Sequence, residues 1–263
     1  MQNIENLIDS LHLEDLKNQL HPSIFDENDD YDMLIIRIPV IAKELGTKSF
    51  GFIITKEKSY FFNKTQNNFE ELKSRFEEPY KLLDKNIDKM LKSFINYQDR
   101  ISEIEELLYE NKIKENFMNV WLELKLEILK IERILLKTSN TIENFIDYYE
   151  HDETFPINHY MDLHEHIERT MRSATLQLSK LDYLYSFYNA KSNDKMNKMI
   201  YILTIISAIF LPLNLIVGFF GMNTSSLPFT GGTSGTLYAV SIMGALVLIT
   251  AFLVQFWRKK IEK

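Results

Sequence analysis

The sequence predicts an α+β domain, with a small antiparallel sheet and long helices, that continues through a long stalk helix into a two-helix transmembrane hairpin. Three observations lead there. No Asp, Glu, Lys, Arg or His occurs between Met199 and Trp257, a run of 59 residues, so the 30 basic and 37 acidic residues of this 263-residue chain crowd into the remainder. A bilayer core of ~30 Å takes ~20 apolar residues per helical crossing, and the uncharged run therefore suits two crossings and a turn. Short β-like stretches near the N-terminus come first, and helical periodicity from Asn67 onwards completes the outline.

Residues 4–20 place Ile4, Leu7, Ile8, Leu11, Leu16 and Leu20 on one stripe and are read as an amphipathic helix ended by His21-Pro22. Met33–Val40, Lys48–Thr55 and Ser59–Phe62 read as strands, with Lys56-Glu57-Lys58 as the spacer of a hairpin. After Thr65 the strand signals stop. Ile101, Ile104, Leu107 and Leu108, then Leu124, Ile128, Ile131 and Leu135, recur at helical spacing, which predicts two or three long helices broken near Pro79 and near Asn111 or Lys112. Between Pro156 and Pro212 nothing interrupts the helical pattern. The expected parts are an N-terminal α/β cytoplasmic part (1–65), a long-helix cytoplasmic part (66–155), a stalk helix (156–198), a first transmembrane helix (199–220), an outer loop (221–236), a second transmembrane helix (237–257) and a basic tail (258–263).

Charge sets the orientation and removes several function classes. The tail holds four basic residues and one acidic, so with a total of −7 the first 198 residues carry −10. Such a domain repels nucleic-acid backbones and offers hard oxygen ligands to divalent cations. Lys191, Lys195 and Lys198 precede the first crossing and the basic tail follows the second, which puts both termini in the cytoplasm of a multi-pass protein of the cell (inner) membrane. The acidic N-terminal stretch lacks the basic and apolar regions of a signal peptide. Cysteine is absent, and none of the eight glycines makes a nucleotide-binding pattern. Without a nucleophile matched to a base, an enzyme is not expected, and neither is an organic cofactor.

Two groups of polar residues stand out. Positions 197, 204, 207, 211, 214 and 218 differ by three, four or seven, so Asn197, Thr204, Ser207 and Asn214 share a face at membrane depth. That face fits copies packed around a water-filled axis, or a hydrogen-bonded seam in an inert anchor. Pro212 frees the carbonyl of Ala208 within the same helix. Upstream, His159, Asp162 and His166 share a helical face adequate for Zn²⁺ or another transition metal, the alternative being a solvated acidic face.

Asn197-Lys198-Met199-Ile200-Tyr201-Ile202-Leu203-Thr204, then Ile209-Phe210-Leu211-Pro212 and Gly218-Phe219-Phe220-Gly221-Met222-Asn223, resembles the CorA-type magnesium and cobalt transporter family. Its hallmark is Gly-Met-Asn at the outer end of the first of two C-terminal crossings. The resemblance covers the C-terminal third in residues and the whole chain in layout. It implies a homopentamer whose first helices line a pore, with Gly221, Met222 and Asn223 as the selectivity filter. Asn197 would form the inner polar ring, and Ile200, Leu203 and Leu211 apolar constrictions. Thr204, Ser207, Asn214 and Gly218 would complete the lining. Asp162-Leu163-His164-Glu165-His166 resembles the family's Asp-x-x-acid-His stretch, which implies a regulatory metal site of Asp162, Glu165 and His166 at subunit interfaces.

The expected activity is passive influx of Mg²⁺, with Co²⁺ and Ni²⁺ as further ions, Mg²⁺ acting as both cargo and regulator. The chain departs from the family at Asn214, where Thr is commoner, at Ile200-Tyr201, where Met-Lys is frequent, and in an outer loop without a carboxylate. Alternatives are a zinc transporter of the ZntB-like branch, which usually reads Gly-Val-Asn, and a non-conducting membrane-anchored scaffold.

Overall fold

The computed structural model of the chain describes residues 4–42, 44–112, 116–222 and 234–261. They form two compact units, Met1–Ser186 and Phe187–Lys263.

The first unit begins with a short 3-10 turn, Ile4–Asn6, and helix α1, Ser10–Lys17. The expected single helix over 4–20 is thus split, because Asp9 turns its carboxylate onto Leu11 N at 2.7 Å and starts a new helix there. Five strands follow, where three runs were expected: β1 Ile24–Asp26, β2 Asp32–Ile41, β3 Leu45–Ile54, β4 Ser59–Asn63 and β5 Asn68–Glu71. They pair in chain order as one antiparallel meander. β5 falls in the stretch expected to be helical. Asn67, at φ 52°, turns the chain back so that Asn68–Glu71 pairs with β4.

Both faces of the sheet centre are covered. Met33, Ile35, Ile53 and Phe62 pack with Ile8 and Leu16 beneath α1. The approach is close: a Cβ at Gly51 would meet Leu16 Cδ2 at 2.5 Å. Leu34, Ile36 and Ile38, which point the other way, are buried where β2 meets the long helices.

Those helices are α2, Glu77–Tyr109, and α3, Phe117–Tyr149, followed by α4, Ile157–Phe220. Pro79 does not break α2; it occupies the first turn, where a missing N–H costs nothing. Asn111 at φ 60° ends α2, with Lys112 N bonded back to Leu107 O at 3.0 Å. Each helix buries one apolar stripe: Leu83, Ile87, Phe94 and Ile101 on α2, Leu124, Ile128, Ile131 and Leu135 on α3, and Leu163, Ile167, Leu181 and Leu184 on α4. A fully buried side chain of this kind contributes ~1.5–3 kcal/mol.

Cross-links fix direction within the unit. Gln98 bonds Ser173 at 2.9 Å and Lys180 meets Glu105 at 2.5 Å, so α2 and α4 run in parallel. Arg100 reaches Glu123 at 3.0 Å and Trp121 Nε1 donates to Leu181 O at 2.8 Å, so α3 runs against both. Where the three begin and end, Phe76, Phe145, Tyr149 and Phe155 meet edge to face, and Tyr160 stacks on Phe155.

In the second unit, α4 runs on to Phe220 through Pro212, and α5 spans Gly235–Ile261.

Two predictions concern the first unit. Tyr149 donates its hydroxyl to buried Asp32, and Tyr149→Phe leaves that carboxylate short of a donor. Chemical denaturation should show a loss of ~1–3 kcal/mol. Asp152 accepts from the Thr154 hydroxyl at 2.6 Å, from Thr154 N at 2.8 Å and from Arg75 at 2.6 Å, and these partners, Thr154 first, hold its carboxyl below the usual range. A depressed carboxyl stabilises the fold above the ordinary carboxylate range and loses that contribution as pH falls through its folded value. Melting curves of Asp152→Asn against pH should therefore start lower at neutral pH and fall less steeply in acid.

Candidate functional site

On α2, Asp84 and Asp88 stand one turn apart and face His166 of α4. One ligand atom from each lies within 4.8 Å of the others. His166 Nδ1 is 4.0 Å from Asp88 Oδ1, and its Nε2 is 3.7 Å from Asp162 Oδ1. Nδ1 is buried and has no hydrogen-bond partner. Two carboxylates and an imidazole suit a divalent ion held at ~2.0–2.6 Å after a small closing of the side chains. The electrostatics agree. Burial, then the neighbouring Asp88 charge, raises the proton affinity of Asp84. The Tyr80 hydroxyl is pushed up too, first by burial and then by Asp84, Asp162, Glu77 and Asp88.

Of the residues expected at this centre, His166 is in the cluster and Asp162 stands at its edge. Glu165 points elsewhere, onto Arg169 at 2.7 Å, and that hydrogen bond holds its carboxyl low. His159, on the same face by spacing, is drawn off to Glu77 at 3.1 Å and stacks on Tyr80 at 4.8 Å. Asp84 and Asp88 escape sequence reasoning because they precede His166 by about eighty residues. Their only local sign is acidic spacing of four on a helix rich in such residues.

In the second unit, α4 has an apolar window of mean hydropathy 2.4, none of it buried, and is long enough to cross a membrane. A shorter apolar run, Val240–Leu253, lies in α5. Asn197, Ile200, Leu203, Thr204, Ser207, Leu211, Asn214 and Gly218 are all exposed. Ile205, Ala208, Ile209, Pro212, Leu213, Ile216 and Phe220 are half-buried. At about 100° per residue the two sets occupy opposite sides of the helix. Thr204 donates its hydroxyl to Ile200 O at 2.9 Å. Beyond Phe220 the backbone turns off: Gly221 N still bonds Val217 O at 2.9 Å, and a Cβ on Gly221 would press on that oxygen at 3.0 Å. Met222 is exposed. Asn223 and residues 224–233 of the outer loop lie outside the described residues.

Known proteins resemble this chain in sequence and fold. The cobalt/magnesium transport protein CorA of Thermotoga maritima is 23% identical over 276 residues, covering 96% of this chain and 76% of that protein. YfjQ of Bacillus subtilis is 25% identical over 170 residues, which is 64% of this chain and 53% of YfjQ, so this chain spans about half of that relative. The fold matches the complete structure of the CorA magnesium transporter from Methanocaldococcus jannaschii with a TM-score of 0.70 at 17% identity, over 95% of this chain and 84% of that one. The model of the CorA-like Mg²⁺ transporter protein family matches residues 2–260, and the chain belongs to that family of divalent-cation transporters.

Proposed function

We propose that the protein is a homopentameric channel for passive Mg²⁺ influx, with α4 lining the pore and cytoplasmic divalent cation controlling it. The observation that carries this reading is the exposed polar face of α4, opposite its half-buried stripe. An amide such as that of Asn214 costs several kcal/mol in hydrocarbon, so a face of this kind calls for water or for partners on other copies. Five such faces around an axis supply water. Asn223, with Gly221 and Met222, would then meet the incoming ion at the outer end. Neutral oxygens suit Mg²⁺, which sheds water reluctantly: they grip its hydration shell without holding the ion too tightly. A divalent ion descending 100 mV gains about 4.6 kcal/mol, and no nucleotide is needed. Magnesium and cobalt in the printed name of the Thermotoga maritima relative support the choice of cargo.

Control would come from Asp84, Asp88 and His166, with Asp162 beside them. A bound cation draws the carboxylates of α2 and α4 together, and its loss leaves them to repel, which biases the helices between two arrangements. Glu165 has no part in this, its carboxylate being engaged with Arg169. The membrane placement that follows has both termini cytoplasmic.

Liposome flux under an imposed potential tests the pore. Wild type should pass Mg²⁺, and Asn223→Ala should abolish that flux while the oligomer still forms by crosslinking. Unchanged flux in Asn223→Ala removes the filter assignment, and flux of Zn²⁺ without Mg²⁺ returns the ZntB-like reading. For the control site, Asp84→Asn with Asp88→Asn should weaken cation binding by about tenfold or more. Uptake in that variant should continue at internal Mg²⁺ concentrations that close the wild type; inhibition at the same concentration in both excludes the cluster as the sensor.

A further inference from the structure

In the acidic first unit, Arg37 and Lys64 bring two positive charges together with no described carboxylate beside them. Arg37 of β2 and Lys64, the first residue after β4, lie two residues beyond Ile35 and Phe62, whose side chains face α1. Arg37 Nη1 donates to Leu20 O at 3.0 Å and Nη2 to Thr47 Oγ1 at 3.1 Å. Lys64 Nζ donates to Asn18 O at 2.9 Å and to Ser49 Oγ at 3.2 Å. Every one of these acceptors is neutral. Among the described residues no carboxylate lies within ion-pair distance of either cation. Arg37 Nε is buried without any partner. The strain of this pairing is visible in Lys64, whose proton affinity is lowered by burial and then by the Arg37 charge.

Carbonyls of the segment after α1 explain how the two side chains are held, but a carbonyl carries no net charge. Both cations keep N–H donors that no group among the described residues takes up. Thr47 and Ser49 accept from them, which leaves each hydroxyl proton free for a further acceptor. Two cations, from β2 and the turn after β4, and two hydroxyls of β3 match a tetrahedral dianion. A carboxylate would answer one charge, whereas a phosphoryl group brings about −1.5 to −2 and several acceptor oxygens.

We propose that Arg37, Thr47, Ser49 and Lys64 form a receptor for a phosphoryl oxyanion, either free inorganic phosphate or the phosphate of a nucleotide. The site lies on the sheet, on elements other than those that bear Asp84, Asp88 and His166, and its test does not depend on ion flux.

Isothermal titration of the full chain in detergent, without divalent metal, uses inorganic phosphate and ATP in separate arms against chloride at matched ionic strength. Saturable binding is expected in at least one arm. Phosphate alone sufficing identifies the free ion, and binding confined to ATP identifies a carried phosphoryl group. Lys64→Met removes one charged donor and should weaken binding about tenfold. Lys64→Arg should retain most of it, which separates lost charge from lost folding, and unchanged melting temperatures of both variants confirm that the sheet is intact. No binding above chloride in either arm, or equal affinity in wild type and Lys64→Met, overturns the proposal.

Discussion

Five aromatic rings, Phe76, Phe145, Tyr149, Phe155 and Tyr160, fix the point from which the first unit is built. Tyr160 is fully buried and its hydroxyl donates to Phe76 O at 2.9 Å, which pins the first turn of α4 to the start of α2. Two parallel helices rise at the same rate, ~1.5 Å per residue, so a contact made at one level recurs at equal steps along both. Gln98 with Ser173 and Glu105 with Lys180 lie seven residues apart on both helices, and nearer the anchor Asp84 and Asp88 arrive opposite His166. Most of the ion pairs higher up are exposed and contribute little on their own.

The two units answer to different solvents. In the first, polar groups beneath the surface pair with specific partners, as Ser23 does with Thr138 at 2.9 Å, Ser139 with His164 at 2.9 Å and Tyr149 with Asp32; among the described side chains Arg37 Nε and His166 Nδ1 are the exceptions. In the second, the polar residues of α4 stand on an exposed side, and the half-buried positions are almost all apolar. A chain that must satisfy its polar groups internally would not distribute them this way.

Much of this was legible in residue order because it rests on periodicity. The uncharged run, the break at Asn111 and the start of α4 after Pro156 are local signals that tertiary packing leaves alone. Other features were hidden for identifiable reasons. Asn68–Glu71 has one apolar side chain and no alternation of its own, and it becomes a strand because Asn67 turns it back onto β4. Asp9 was indistinguishable from other acidic residues until its carboxylate was seen to cap α1. Around Asp84, Asp88 and His166, spacing placed His159, Asp162 and His166 on one face of α4, yet Glu77 and Tyr80 of α2 claim His159 for themselves. Such competition depends on a neighbouring helix, and no pattern within α4 can report it.

Thr204 gives the polar face of α4 a directional character. With its proton committed to the Ile200 carbonyl, the hydroxyl has only lone pairs to offer outward. Wherever water meets that side of the helix, it finds an oxygen that can receive hydrogen bonds and cannot give one. Waters around a metal cation have both hydrogens free to donate there, whereas each water around chloride spends one on the ion and has only one left to give. Discrimination by sign of charge can thus begin at a residue that bears none.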